Sequence, residues 1–475
     1  MGMFGNLNKE TKWTQYEGIE TPTASILIDN KKDTIAVNVK NPYVTPEMFG
    51  AVGDGVADDT KAIQYAIDTN KVVVLSNTYL CSTVVISQDT EIVGCNNAKI
   101  LPKYTDNEFY DTIFSFTNCK LSIKKLSFIG KTLDKFTTGD LVLNPIIYGN
   151  NGELILDGCT FNNIHFTNIK PASATFIDRY ASLIKTFDTN IVLNNSRVTN
   201  CWGELTQNLS KKATKEDIKT TFNCKNLYVN NNTGSFNIVA KEIVLENIIG
   251  NHTSYEGSLF NAFGVEETSF INCNVNGSTT VFDSTEDGLF LCRHIVIQNC
   301  KSSIIAYAEK IDASNSLFTY NLHNSQLPEF SPYTAKNYPE SITINAVDCI
   351  VLRGQGSEKV TSTLIFSFTR CKLNDVIYTI GGGNVNKTYV TCNQMTIKGG
   401  QFYRGENSFY NCVIDKTPIL QSGSYAPQIF GDCNSSVGVT EGKITFIGCY
   451  CNENITLVGN NSWYRFLATE NLSAT

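Results

Sequence analysis

Ser269-Phe-Ile-Asn272-Cys273 and, one length further on, Ile295-Val-Ile-Gln-Asn299-Cys300 carry the pattern that decides the fold of this chain. Each is a short alternating apolar run, a turn-forming residue and a cysteine. The same order returns as Phe114-Ser-Phe-Thr-Asn118-Cys119, Leu154-Ile-Leu-Asp-Gly158-Cys159, Ser408-Phe-Tyr-Asn411-Cys412 and Thr445-Phe-Ile-Gly448-Cys449. Of the sixteen cysteines, six follow Asn, three follow Gly and two follow Asp, so cysteine and turn residue travel together. The separations are 24 residues from Cys95 to Cys119, 23 from Cys201 to Cys224, 27 from Cys273 to Cys300 and 20 to 22 from Cys349 through to Cys433. Gaps of 40 and 42 residues on either side of Cys159 read as two periods each, and Asn247 fills the gap between Cys224 and Cys273.

A period in the twenties made of short strands implies a solenoid. Its coils stack ~4.8 Å apart, which sets like residues above one another. Small apolar cysteines then stack at one interior station, while turn asparagines bond along the axis and accept left-handed backbone geometry. An antiparallel sandwich would show hairpin signals every ~8–12 residues and no long period. The expected fold is all-β: a right-handed single-stranded parallel β-helix with an N-terminal capping helix.

A solenoid must seal its apolar ends. The segment Phe49-Gly-Ala-Val-Gly-Asp54-Gly-Val-Ala-Asp58-Asp59-Thr60-Lys-Ala-Ile63-Gln64-Tyr-Ala66-Ile67-Asp68 has the chemistry to do so. Asp58 or Asp59 is suited to N-cap a helix, and Ala62, Ile63, Ala66 and Ile67 form an apolar face of helical spacing. This block resembles the FGAxGDGxxDDTxAIQxAI signature at the start of pectate-lyase-superfamily (pectate-lyase-3-like) β-helices, a group that includes polygalacturonases and bacteriophage tailspike and tail-fibre proteins. By that resemblance Asp54, Asp58 and Asp59 are structural. The polygalacturonase Asn-Thr-Asp block, catalytic Asp pair, Gly-His-Gly and Arg-Ile-Lys are missing: no His has flanking glycines, and the one Asp-Asp is the cap.

Composition narrows the class. Asparagine supplies 52 of 475 residues, charged residues 17% and hydrophobic residues 42%, which excludes a disordered chain. A net charge of −7 argues against nucleic acid and anionic membrane surfaces as partners. The start, MGMFGNLNKETKW, has no apolar signal-peptide core. The expectation is therefore a chain made in the host cytoplasm with reduced thiols. No CxxC occurs, and the four histidines, His165, His252, His294 and His323, have no metal-ligand spacing, so neither metal nor cofactor is expected. The phage resemblance reconciles a missing signal with action on cell-surface glycans, since virions are released by lysis. It implies a virion tail protein that binds, or also depolymerises, host surface polysaccharide, with other tail proteins as partners. A non-catalytic structural or adhesion component of the virion and a free polysaccharide lyase or glycoside hydrolase are the alternatives.

The expected organisation is an N-terminal module over 1–45, either virion-attaching or an edge hairpin; a cap over 46–71; coils over 72–458; and a C-terminal cap over 459–475. Two stretches break the period. Gln207 to Thr221 reads as a polar excursion with a helical turn, and Tyr320 to Glu340, with three Pro and four aromatics, reads as a long loop. Glycoside hydrolysis needs two carboxylates ~5–10 Å apart. Glu266 and Glu267, with Asp283, Glu286 and Asp287 one coil later, form the best candidate set, the alternative being solvated turn carboxylates. Tyr255, Phe260 and Phe263 lie close in sequence, and Tyr255, Phe263, Tyr320 and Tyr333 are the candidate sugar-binding aromatics, the alternative being a packed surface flap. Glu153 with Asp157, or Asp178 with Arg179, is a weaker site. Parallel sheets are usually covered on both faces, which joins the tailspike resemblance in implying a homotrimer. The segment Trp463-Tyr464-Phe466-Leu467 either knits subunits together or closes its own coil.

Overall fold

The computed structural model describes residues 24–29, 34–39, 42–103, 112–130, 145–164, 182–201, 204–210, 215–232, 235–252, 259–277, 282–283, 292–302, 304–305, 308–318, 341–351, 354–355, 363–374, 376–377, 387–398, 406–414, 442–457, 462–467 and 470–474. Strands stack in parallel along one axis and form three faces. The first face runs from Val84–Ile86 through Phe114–Thr117, Ile147–Asn150, Ser182–Phe187 and Glu204–Leu209 to the leading parts of Phe236–Glu246 and Phe260–Ile271. The second extends from Tyr43–Val44 to Ser462–Leu467, and the third from Asp54–Asp58 to Glu470–Ala474. The chain is a right-handed parallel β-helix, the hand that parallel crossovers almost always take. Ahead of it, Ala24–Asp29 and Thr34–Val39 pair as a separate antiparallel hairpin.

In most coils one residue makes the turn from the second face to the third. Asn195, Asn226, Asn247, Asn272 and Asn299 all hold φ between 49° and 56°, where the short polar side chain lowers the cost of left-handed geometry. Their amides also bond from coil to coil. Asn195 donates to Asp157 (2.7 Å), Asn226 to Asn195 (2.9 Å), Asn247 to Asn226 (2.9 Å), Asn272 to Asn247 (3.1 Å) and Asn299 to Asn272 (3.0 Å). Inside the coils, aromatics follow the same repeat: Phe236 stacks on Phe260 at 4.5 Å and Phe409 on Phe446 at 4.9 Å between ring centroids.

The cysteines do not share one station. Seven of the fourteen described, Cys159, Cys273, Cys300, Cys349, Cys371, Cys412 and Cys449, follow the turn from second face to third, and Cys95 opens that turn ahead of Asn96 and Asn97. Cys119 and Cys201 follow the other two turns, and Cys81, Cys224, Cys292 and Cys392 lie within strands. A three-faced coil has three turns and several inward positions, and spacing alone cannot tell them apart. All fourteen are free thiols, and all but Cys95 are buried.

The N-terminal end is closed by helix α1, Thr60–Asp68, which buries Ala62, Ile63, Ala66 and Ile67. Gln64 finishes the exposed edge of Val84–Ile86: its amide donates to the carbonyl of Val85 (2.9 Å) and its carbonyl accepts the Val85 N–H (2.8 Å). The acidic pair behaves differently from the expected N-cap. Asp59 (φ −92°, ψ 6°) is outside extended N-cap geometry and makes no side-chain bond to the helix. Its carboxylate instead accepts the backbone N–H groups of Val52 (2.7 Å) and Gly53 (3.1 Å), tying down the preceding loop. Asp58 accepts the N–H of Thr60 (3.1 Å) and pairs with Lys103 (2.8 Å).

The polar excursion begins later than Gln207, because strand Glu204–Leu209 stays in register with Ser182–Phe187. A 3₁₀ turn, Lys215–Asp217, follows, and Ile218 is buried on the outside of the first face with Phe187, Leu209, Val239 and Val265. At the other end, Ser462–Leu467 and Glu470–Ala474 continue the second and third faces as a further coil.

Candidate functional site

Strand Phe260–Ile271 follows the first face as far as Gly264 and the second face from Glu267. Gly264 permits this corner, since a Cβ there would lie 2.2 Å from Thr268 Oγ1 and 2.6 Å from the carbonyl oxygen of Glu267. Beyond it the register stacks Glu242, Glu267, His294 and Lys310 in one column. Ser269, Val296, Asp312 and Asn345 form the column two residues along. Side chains alternate across a strand, and the interior takes Thr268, Phe270, Ile295, Ile297 and Ile311, so both columns point outward.

His294 is the hub. Its Nδ1 lies 3.3 Å from Glu267 Oε2, and its Nε2 lies 2.9 Å from Asp312 Oδ2. Its side chain is 27% exposed, enough for a ligand to reach the ring. Only the doubly protonated imidazole donates to both carboxylates; the neutral ring has a single N–H. Ser269 Oγ donates to the other oxygen of Glu267 (3.0 Å). Lys310 Nζ (2.7 Å) and Asn345 Nδ2 (2.8 Å) donate to Asp312. Partial burial pushes the Asp312 carboxyl up, but the bonds from Lys310, Asn345 and His294 outweigh it and leave the group below the usual carboxylate range. Beside this set, Glu266 pairs with Arg293 (2.7 Å). The result is a flat, charged patch across three coils, with a proton-bearing ring between two acceptors.

The sequence candidates divide. Glu266 and Glu267 are neighbours in this patch. The backbone of Asp283 aligns with Asn261 on the first face, six residues before Glu267 along the bent strand, so the two are not brought together. Asp287, Glu286, Tyr255, Tyr320, Tyr333, Asp178 and Arg179 lie outside the described residues. Phe263 is half-buried against the outer apolar group of the first face, and Phe260 is inside the coil. Glu153 pairs with Lys120 (2.9 Å), and Asp157 begins the asparagine ladder. His294, Asp312 and Lys310 were not among the candidates. The signal for them is their distance from the turn residue, five positions before Asn299 for His294 and five and three before Asn315 for Lys310 and Asp312.

No family model matches the chain. Two curated proteins share short stretches with it. One is "Depolymerase, capsule K30/K69-specific" of Klebsiella phage K64-1, 60% identical over 37 residues, which is 7% of this chain and 5% of that protein. The other is "Depolymerase 1, capsule K30/K69-specific" of Klebsiella phage K5-2, 50% identical over 48 residues, 9% of this chain and 6% of that protein. The chain thus matches only about a twentieth of the length of either relative. Among solved structures, tailspike protein 3 of bacteriophage CBA120 aligns over 93% of this chain and 64% of its own, at 11% identity and a TM-score of 0.31. The family 28 exopolygalacturonase of Yersinia enterocolitica aligns over 92% and 79%, at 11% identity and a TM-score of 0.31. The Streptococcus pneumoniae surface adhesin PfbA aligns over 90% and 93%, at 12% identity and a TM-score of 0.27. Scores this low carry no chemistry from one chain to another.

Proposed function

We propose that this chain is a bacteriophage tailspike-type protein that binds host surface polysaccharide across the outer second face and cleaves it with His294 as the proton-transfer group. The observation that carries the chemistry is the placing of both His294 ring nitrogens against carboxylates from the coils on either side. In the described patch Glu266 and Asp312 are each held by a cation, so neither is free to carry the proton a leaving glycosidic oxygen needs. On this reading the His294 imidazole carries it, with Glu267 and Asp312 holding the ring in place. On this reading the Ala24–Asp29 and Thr34–Val39 hairpin belongs to a virion-attachment module, the native unit is a homotrimer, and the chain sits in the phage tail beside other tail proteins. The short identities with capsule depolymerases of Klebsiella phages support this reading.

The same ion pairs favour a second reading. A patch whose carboxylates are neutralised by Arg293 and Lys310 is also a suitable platform for sugar hydroxyls without any cleavage. Purified Klebsiella K30 and K69 capsular polysaccharides, measured for binding and for release of new chain ends, separate the two. Wild type is expected to bind and cut, while His294→Gln binds but cuts ~10²–10⁴-fold more slowly. Binding without cutting by wild type selects the adhesion reading. Absence of binding to both polymers refutes this substrate choice.

A further inference from the structure

The seven thiols that follow the turn from the second face to the third differ in one respect that burial does not show. Cys159 has Leu126 and Ser196 at this station in the two adjoining coils, so no cysteine lies beside it. The remaining six form three pairs in neighbouring coils: Cys273 with Cys300, Cys349 with Cys371, and Cys412 with Cys449. In each pair the strand register is fixed one residue further on. The N–H of Lys301 bonds to the carbonyl of Cys273 (2.8 Å), that of Lys372 to Cys349 (2.9 Å) and that of Tyr450 to Cys412 (2.9 Å). Neighbouring parallel strands are ~4.8 Å apart, which falls within the ~4.4–6.8 Å Cα separation that a disulfide spans. Both side chains of every pair are buried inside the coil.

We propose that these three pairs are latent inter-coil disulfides: free in the reduced protein and closed by exchange with a small-molecule disulfide. In the exchange one cysteine thiolate attacks the small disulfide and expels one thiol. The paired cysteine then attacks the resulting mixed disulfide and expels the second. Two protein thiols thus lose two electrons and two protons, and one small disulfide becomes two thiols. Cys412 and Cys449 close first. They lie one coil from the C-terminal end of the described stack, where coils open most readily.

The test uses the full chain purified under reductant, freed of it and incubated with oxidised glutathione. It is then unfolded in an alkylating agent and mapped by peptide mass spectrometry. The expected result is a fall from sixteen titratable thiols to ten, the Cys412–Cys449 link appearing first and the other two afterwards. Cys159 is the internal control, with the same station but no adjoining cysteine. Sixteen thiols persisting, or links to Cys159 forming as fast as the three pairs, would overturn the proposal. Cys449→Ser should abolish only its own link, and the wild-type map stands whether or not that variant folds.

Discussion

Asn226 does two separable jobs, and two substitutions pull them apart. It holds φ at 56°, and its side chain joins the ladder on both sides, donating to Asn195 and accepting from Asn247, each at 2.9 Å. These bonds are solvent-exposed, so each should contribute at the low end of the net range, ~0.5 kcal/mol. Left-handed geometry costs an alanine about 1–2 kcal/mol. Asn226→Ala therefore loses about 2–3 kcal/mol in all. Asn226→Gly loses the same two bonds but meets no steric penalty, leaving ~1 kcal/mol of lost bonding plus the ~0.5 kcal/mol that glycine adds through unfolded-chain entropy. Urea titrations followed by far-UV circular dichroism should rank wild type above Gly and Gly above Ala, with similar slopes. Equal midpoints for Gly and Ala would refute the backbone argument. Midpoints equal to wild type for both would show that the ladder is decoration.

Two further outcomes concern the cap. Asp59 is 2% exposed and is the acceptor for two backbone N–H groups, so Asp59→Ala should cost ~2–3 kcal/mol, more than an ordinary helix N-cap, and a melting curve of the variant checks it. The Asp58 carboxyl is held down to about 2, first by the bond from Lys103 and then by Thr60. Because its folded value lies below the unfolded ~3.9, its contribution is present above pH ~4 and is lost as the pH falls towards 2. Lys103→Met should therefore weaken the cap at pH 6 but make little difference near pH 2, and an equal loss at both would count against the pairing.

Much of this architecture was legible because it is repeated. Alternating apolar runs fixed the strands, the recurring junction of a turn residue and a cysteine marked turns in many coils, and the apolar face of Thr60–Asp68 was visible from its spacing. The site was not legible, because it is made across coils of unequal length. Glu267 and His294 are 27 residues apart, His294 and Asp312 only 18, while rungs of the asparagine ladder span from 21 to 38. A period in the twenties therefore implies a solenoid without saying which side chain stacks on which. Cysteine was the wrong ruler, since it occupies three turns and several strand positions. The left-handed residue is the right one. Counted back five from Asn247, Asn272, Asn299 and Asn315, the sequence yields Glu242, Glu267, His294 and Lys310, the column observed. Counted back three from Asn315 and Asp348 it yields Asp312 and Asn345, also in register. The rule has a physical basis: the left-handed residue ends the ladder of the second face at the same height in each coil, so insertions elsewhere change coil length without shifting that face. It follows that the charged patch is held by the second face, whereas loops entering it from the other turns can vary in length without disturbing His294 and its two carboxylates.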